Sequence, residues 1–306
     1  MGLGLDSFRQ VGTGSIEREI KFTGDDGGLR KSGVPRLTAR LQGWWNGKFG
    51  DGDRQPLLQQ QKTEGRQTVK QEFFNLLAKT EGEEGAQRAL EAAGRKPEDV
   101  DLIVVATTTA DLTFPAVATI VQRKLGCPIG VAFDIQAVCS GFVYALSVAD
   151  GFVARNRSKC ALVIGAETMT RLMDWTDRGT CVLFGDGAGA VVLEPLEGEG
   201  TTADRGLLGF ALRADGTKQE LLFVDGGPST NGQVGKLRMQ GNQVFRHAVV
   251  NISEAVTSAA ADAGIEVASV DWFVPHQANL RILQGVARRL GIDEHKVITT
   301  LDQHSN

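Results

Sequence analysis

The sequence has few of the features that mark secreted, membrane or metal-binding proteins. Its 306 residues include only four cysteines, and no two of them form a C-x-x-C pair, which argues against a zinc site or a redox pair. No apolar run approaches the roughly 20 residues that span a bilayer. The N-terminus has no charged start followed by an apolar core, so it shows no secretory signal. We therefore expect a cytoplasmic protein in a reducing compartment, with no metal and no membrane partner.

The sequence also has no basic excess. Its formal net charge is −4, and no cluster of lysine and arginine is interleaved with aromatic residues, so nucleic acid is not an expected partner. The contents of 42% hydrophobic and 23% charged residues are ordinary for a folded domain. A chain of this length can bury one large core or two fused half-domains.

The first 82 residues differ in character from the rest. Residues 41–67 are rich in glycine, glutamine and charged side chains, and they show no sustained period of 2 or 3.6. We expect loop or disorder in this stretch, and we treat residues 1–82 as an atypical N-terminal segment.

From about residue 83 onward, apolar strands alternate with helices. This alternation predicts an α/β protein whose mainly parallel sheet is covered on both faces. The expected helices cover 85–94, 116–126, 139–153, 242–264 and 277–291, and the expected strands cover 100–109, 130–136, 160–167, 181–186, 187–196, 206–215, 220–226, 236–241, 270–276 and 296–301. VDLIVVAT after a first helix is echoed by VDWFVPH after a later one, which suggests two similar halves over 83–200 and 201–306, with a boundary near Glu197–Arg205.

Cys139 lies where a short apolar strand stops and a helix of small and apolar residues begins. A thiol at a helix N-terminus is close to unpaired backbone N–H groups and the positive end of the dipole, so we expect its pKa to be lowered. Such a sulfur can serve as a catalytic nucleophile. The alternative is a buried structural cysteine, which is how we interpret Cys160 and Cys181.

Two candidate partners of Cys139 lie far downstream. His276 directly follows Pro275 at the end of an apolar strand, and Asn306 is the last residue. Taken alone, a histidine in this position is structural or solvated, and a terminal asparagine is frayed.

From about Gly82 to Asn306 the sequence closely resembles β-ketoacyl-acyl carrier protein synthase III, a condensing enzyme of the thiolase fold. The matching strings are DLTFPAVA, FDIQAVCSGFVYALSVAD, DWTDRGTCVLFGDGAGAVVLE, MQGNQVFR, DWFVPHQANLRI and TLDQHSN. The resemblance implies two similar αβ halves in a layered αβαβα core. It also implies a catalytic Cys-His-Asn set at Cys139, His276 and Asn306.

The resemblance implies a decarboxylative Claisen condensation that starts fatty acid synthesis. An acyl-CoA primer such as acetyl-CoA and malonyl-acyl carrier protein would give a 3-oxoacyl-acyl carrier protein, with coenzyme A thioester as substrate and no cofactor. Cys139 would take the acyl group. His276 and Asn306 would donate hydrogen bonds to the enolate oxygen formed on loss of carbon dioxide.

Further site residues follow from the same resemblance. Arg178 would lie near the adenine end of coenzyme A, although an ion pair with Asp174 or Asp177 is the alternative. Asn279 and Asn242 would line the substrate pocket. Phe114 would enter the acyl pocket of the other subunit of a homodimer, unless it packs in the core of its own chain.

A basic helix face is expected at the mouth of the pocket. Arg281 and Arg288 are seven residues apart and lie opposite an apolar stripe, with Arg289 nearby. This face suits the acidic acyl carrier protein by electrostatic steering, and a plain solvated face is the alternative. The string GDGAGA at 185–190 leads into a strand rather than a helix, so nicotinamide binding is not expected.

The sequence departs from the family at both ends. Family members carry Ser-Asp-Glu-Trp-Ile and Arg-Thr-Gly-Ile stretches near the N-terminus, and they continue past the asparagine through a helix and a strand–glycine loop–strand unit. We therefore expect an incomplete C-terminal half. Two other interpretations stay open: a catalytically incompetent fragment or dimerising partner, and a thiolase-fold acyltransferase with a different acceptor.

Overall fold

The computed structural model describes residues 6–11, 15–19, 37–45, 83, 85–304 and 306. The helices are α1 (85–93), α2 (Val117–Leu125), α3 (Gly141–Ala154), α4 (Gly241–Ala263), α5 (Leu280–Leu290) and α6 (Leu301–His304). The strands are β1 (Asp6–Val11), β2 (Ser15–Glu19), β3 (Leu37–Trp45), β4 (Leu102–Ala106), β5 (Val131–Ile135), β6 (Ala161–Thr168), β7 (Asp186–Glu197), β8 (Leu222–Val224) and β9 (Leu237–Met239).

Five strands form the main sheet in the order β3-β7-β6-β4-β5. β5, β4 and β6 run parallel, whereas β7 is antiparallel to β6 and β3 is antiparallel to β7. The expectation of a mainly parallel sheet was therefore wrong, because the sheet is mixed. Residues 169–185 join β6 to β7 through one short 3₁₀ turn, Met169–Leu172, and without a crossover helix the chain returns in the opposite direction.

Both faces of this sheet are covered, as the sequence predicted. All five residues of β4 are buried, which explains its continuous apolar run. On one face α1 and α2 pack through small and branched side chains such as Ala89 and Val121. On the other face α3 packs through Ala145, Leu146 and Ala149.

The second half repeats the order of elements of the first. α1 and α4 each end at a glycine in the left-handed region, Gly94 and Gly264, and a 3₁₀ turn follows each helix. In the first half the 3₁₀ turn is followed by β4, which pairs in parallel with β5. In the second half the 3₁₀ turn is followed by the segment of Phe273, which forms a parallel bridge with Val297. This order confirms the prediction of two similar αβ halves. Their boundary near Glu197–Arg205 stays a prediction.

Four predicted strands are not extended ladders in the structure. Residues 181–185 form no strand, and 181–183 turn instead, because the Cys181 N–H donates to the carbonyl of Asp177. Residues 206–215 form no strand, and the Phe210 N–H donates to the Asp262 carboxylate while the Phe210 ring packs on the α3 core. Residues 270–276 and 296–301 contribute only the single bridge between Phe273 and Val297, and α6 begins at Leu301.

The expectation of loop or disorder over 41–67 was wrong for residues 41–45. These residues belong to β3, which pairs with β7 from Leu37 opposite Glu197 to Trp45 opposite Gly189. An edge strand is held by main-chain hydrogen bonds, which need no side-chain periodicity, so the pattern did not reveal it. Residues 46–67 lie outside the described residues.

Within the described part of the chain, no helix has both the length and the apolar character to cross a membrane. The same residues contain no group of three or more histidine, cysteine or acidic side chains that could hold a metal ion.

Candidate active site

Cys139 lies on a 3₁₀ turn, Val138–Ser140, between the end of β5 and the start of α3. Val138 has a φ of 47°, so the backbone enters the left-handed region just before the cysteine. A Cβ on Gly141 would lie 3.2 Å from the Cβ of Ala106, so glycine lets α3 begin close against the end of β4. The turn leaves Cys139 exposed, which excludes the buried structural interpretation.

The prediction of a lowered pKa for Cys139 was wrong. Desolvation is the main cause that raises the pKa of this thiol, and the charge of Glu167 raises it further. A backbone hydrogen bond at Cys139 acts in the opposite direction but is the smaller effect. The residue is open to solvent on one side, yet protein surrounds the sulfur closely enough to remove much of its hydration, and this cost outweighs the turn's N–H groups. Cys139 is therefore a neutral thiol at pH 7.

Glu167, near the end of β6, was missed by the sequence analysis. Its carboxylate accepts hydrogen bonds from the Thr108 N–H at 2.9 Å and the Thr109 hydroxyl at 2.6 Å, both just beyond β4. Burial raises the pKa of Glu167, and the hydrogen bonds partly oppose this. The available signal was an acidic residue near the end of the apolar strand β6, because the parallel strands β4, β5 and β6 place their carboxyl ends at one edge.

His276 follows Phe273 and is largely enclosed by protein. Burial lowers the pKa of its imidazole to about 4, so the ring is neutral at pH 7. Its Nε2 atom is buried and has no hydrogen-bond partner among the described residues. A buried ring nitrogen without a partner in the protein is expected of a group that forms its hydrogen bond with a substrate atom.

Asn306 is held at the edge of the sheet that carries Cys139. Its main-chain oxygen accepts a hydrogen bond from the Gly185 N–H at 2.9 Å. Gly185 precedes β7, whose first residue, Asp186, pairs with Thr168 at the end of β6. The carboxyl ends of β4, β5 and β6 lie at this same edge.

Gln277 connects the segment of His276 with the segment that leads to Asn306. Its side-chain amide donates to the Ile298 carbonyl at 3.1 Å and accepts from the Thr300 N–H at 2.7 Å, directly before α6. Gln277 was not among the predicted site residues, although it stands next to His276. Its buried amide orders the two segments that carry the candidate oxyanion donors.

Arg178 is exposed and makes no ion pair within the described residues. The alternative of a loop ion pair does not hold, because both candidate carboxylates have other partners. Asp174 accepts from Arg238 at 3.2 Å and from Thr176. Asp177 accepts from the Gly179 N–H and from the Thr180 hydroxyl. Contact of Arg178 with coenzyme A stays a prediction.

The other predicted residues occupy surface and cap positions. The Asn279 side chain caps α5 by accepting from the Arg281 N–H at 2.9 Å. Asn242, in the first turn of α4, is exposed. Phe114 is 82% exposed, so it does not pack in the core of its own chain. The exposed residues of α5 include Arg281, Arg288 and Arg289, and its buried face includes Leu283, Val286 and Ala287, as the stripe predicted.

The buried His276 imidazole should make stability depend on pH. Its pKa is about 4 in the folded protein against its usual 6.5, so between these values the unfolded chain binds a proton that the folded chain does not. Stability therefore falls as pH is lowered through this window, by up to about 3 kcal/mol. Urea unfolding between pH 7 and pH 4 should show a steeper loss of stability in wild type than in His276→Gln, which keeps the other titrating groups but not the imidazole. Equal slopes would contradict the buried neutral ring.

Comparisons with known proteins agree with this geometry. The family model described as 3-oxoacyl-[acyl-carrier-protein (ACP)] synthase III matches residues 133–216, and the model of the C-terminal region of the same synthase matches residues 260–306. The β-ketoacyl-[acyl-carrier-protein] synthase III of Caulobacter vibrioides is 79% identical over 223 residues, covering 73% of this chain and 69% of that relative. The chain belongs to this family.

Other members give the same result at greater distance. The synthase III of Rhizobium meliloti is 58% identical over 225 residues, covering 74% of this chain and 70% of that protein. The crystal structure of 3-oxoacyl-[acyl-carrier-protein] synthase III from Aquifex aeolicus VF5 aligns with a TM-score of 0.69 at 33% identity, covering 90% of this chain and 86% of that one. The thiolase-type α/β fold expected of a synthase III is thus confirmed.

Proposed function

We propose that this synthase III condenses an acyl-CoA primer, acetyl-CoA in the first instance, with malonyl-acyl carrier protein. The product is a 3-oxoacyl-acyl carrier protein, and the reaction starts fatty acid synthesis. The observation that carries the proposal is the position of Cys139, an exposed residue on the turn at the carboxyl edge of β4, β5 and β6, in a chain of this family.

In the first half-reaction Cys139 takes the acyl group. Its Sγ attacks the thioester carbon, a new sulfur–carbon bond forms, and the bond from that carbon to the coenzyme A sulfur breaks. Because Cys139 is a neutral thiol, its proton must leave as the bond forms, and coenzyme A departs as the thiol that carries a proton. The chemistry needs only these sulfur atoms, so the proposal includes no cofactor.

In the second half-reaction the malonyl group loses carbon dioxide, and the electron pair of the broken carbon–carbon bond forms an enolate. His276 Nε2 and the Asn306 side-chain amide would donate to the enolate oxygen. The neutral imidazole carries one N–H at pH 7, and its unpaired buried Nε2 supports this role. The carbanion then attacks the acyl carbon on Cys139, a carbon–carbon bond forms, the carbon–sulfur bond breaks, and the departing sulfur takes a proton from solvent to regenerate the thiol.

Two surfaces of the protein suit macromolecular partners. The exposed basic residues of α5, Arg281, Arg288 and Arg289, would attract the acidic carrier protein. A homodimer is supported by the exposed Phe114 and by the position of β5 at one end of the sheet. We place the reaction in the cytoplasm, because all four cysteines are free thiols and Cys139 must stay reduced.

The decisive experiment supplies the protein with radiolabelled acetyl-CoA and malonyl-acyl carrier protein. We expect one label on Cys139, located by mass spectrometry of the digested protein, and release of carbon dioxide with formation of 3-oxobutyryl-acyl carrier protein. A wild type that takes no label would contradict the proposal. Label that transfers only to another acceptor would favour the acyltransferase interpretation instead.

A further inference from the structure

The parallel pairing in the second half stops after one bridge, at Phe273. The Phe273 N–H donates to the Lys296 carbonyl, and the Phe273 carbonyl accepts from the Ile298 N–H, both at 2.9 Å. In a parallel ladder that continued in this register, residue 275 would donate to the Ile298 carbonyl and accept from the Thr300 N–H. Residue 275 is a proline, which has no N–H, so the main chain cannot complete the next pair.

The Gln277 carboxamide takes the place of this missing pair. Its Nε2 atom donates to the Ile298 carbonyl at 3.1 Å, and its Oε1 atom accepts from the Thr300 N–H at 2.7 Å. Nε2 also donates to the Pro275 carbonyl at 3.0 Å. Both donors of this buried amide and its oxygen therefore have main-chain partners.

This arrangement fixes the main chain on both sides of His276. Before it, the carbonyl of Pro275 is held by the Gln277 amide. After it, the Ala278 N–H donates to the His276 carbonyl at 2.9 Å, which closes a three-residue turn around Gln277. The chain thus turns away from the ladder at His276, whose buried Nε2 has no partner in the described part of the chain.

The same carboxamide holds the start of the segment that ends at Asn306. Thr300 directly precedes α6, and Asn306 lies shortly beyond that helix. The other end of the segment is held by Gly185, whose N–H donates to the Asn306 main-chain oxygen at 2.9 Å. One side chain therefore connects the main chain that carries both candidate enolate donors.

We infer that Gln277 is a positioning residue that sets the separation of the two enolate donors. It acts through His276 and Asn306, so the inference rests on the proposed role of those residues in decarboxylation. Oxyanion donors must lie about 2.7–3.1 Å from the developing charge. A displacement of about 1 Å can cost on the order of a hundredfold in rate. Pro275 interrupts the ladder that would hold this loop so closely, and the Gln277 carboxamide restores that hold.

Two variants separate the shape of the side chain from its hydrogen bonds. Gln277→Met keeps the length of the side chain and removes all three hydrogen bonds. Gln277→Glu keeps an oxygen for the Thr300 N–H and, when ionised, turns the other oxygen toward two carbonyl oxygens. The matched control is Gln122→Met, because the Gln122 amide also donates to a proline carbonyl, that of Pro128 at 3.0 Å, but does so before the start of β5, at the opposite edge of the sheet.

The first measurement is release of labelled carbon dioxide from malonyl-acyl carrier protein without a primer, where the enolate takes a proton and acetyl-acyl carrier protein forms. We expect Gln277→Met to slow this step on the order of tenfold. Acylation of Cys139 from acetyl-CoA should keep its wild-type rate, because contacts of the first half hold the cysteine turn. Gln122→Met should follow the wild type in both steps. Unchanged decarboxylation in Gln277→Met would overturn the inference, and so would an equal loss in both steps, which indicates a merely structural role.

Gln277→Glu adds a test by pH. The protonated carboxyl group has one O–H donor and one acceptor oxygen, as the amide arrangement needs, whereas the ionised group has no donor. Decarboxylation relative to the wild type should therefore fall as pH rises and the introduced carboxyl group ionises, which its infrared carbonyl band reports. The three main-chain partners do not titrate, and His276, with a pKa of about 4, is neutral at pH 6 and above. A rate that does not follow this ionisation would contradict the inference.

Hydrogen exchange tests the positioning without turnover. In Gln277→Met the Thr300 N–H should exchange on the order of tenfold faster, because its partner is the Gln277 oxygen. The Ile298 N–H, which pairs with Phe273, should keep its protection. Unchanged exchange at Thr300 would refute the role of Gln277. If wild type releases no carbon dioxide and takes no label, the proposed function fails, whereas exchange at Thr300 still decides whether Gln277 holds the two segments together.

Discussion

Replacing Cys139 with alanine is expected to abolish transfer of label from acetyl-CoA and to lower condensation at least about a thousandfold, because no other group can hold the acyl intermediate. Of the four cysteine residues, Cys139 alone is exposed, and it lies at the edge where β4, β5 and β6 end. The measurement is protein-bound radioactivity after gel filtration, together with 3-oxobutyryl-acyl carrier protein formed per minute.

The matched control is Cys181→Ala, which removes a half-buried thiol after the turn at Asp177. It should bind label as the wild type does. The Cys139→Ala variant should still release carbon dioxide from malonyl-acyl carrier protein, because the enolate donors are untouched. Label that remains on Cys139→Ala would disprove the nucleophile assignment.

Replacing His276 with alanine is expected to slow decarboxylation of malonyl-acyl carrier protein by roughly 10²–10³, the usual effect of losing one oxyanion donor. The reason is the buried Nε2, which has no partner in the described part of the chain and is free to meet the enolate oxygen. Acylation of Cys139 should persist in this variant. The measurement is release of labelled carbon dioxide, compared with label bound from acetyl-CoA.

Asn306→Ala provides the companion test. Its main-chain hydrogen bond from Gly185 does not depend on the side chain, so the variant should lose the donor and keep the anchor. Asn306→Ala should slow decarboxylation by a similar factor. The rate of the double variant should fall by less than the product of the two single factors, because donors to one oxygen act together. Normal decarboxylation in both single variants would remove His276 and Asn306 from the chemistry.

Much of the site could be predicted from short strings. The strand that stops before Cys139 and the helix that follows it are local features, and the structure has both. The stripe on α5 was also correct, because helical periodicity fixes which face is buried. Strand direction was a different matter. Nothing in the apolar run of β7 indicates that it runs antiparallel to β6, since a buried strand is apolar on both faces in either direction.

The pKa of Cys139 shows why the ionisation of this thiol could not be inferred from the local sequence around it. The helix start was visible, and it argued for a lowered pKa. The surrounding protein removes water from the sulfur, and Glu167, 28 residues further along the chain, adds a repulsive charge. Both effects depend on groups brought close by folding.

The sequence by itself determined the α/β class, the helix faces and the presence of a cysteine, a histidine and an asparagine typical of this family, because periodicity and local strings are properties of neighbouring residues. The tertiary structure alone decided the direction of β7, the edge position of β3, and the pKa shifts that keep Cys139 and His276 neutral. Dehydration and charge act through space, between segments that are distant in the chain, so only the folded arrangement sets them.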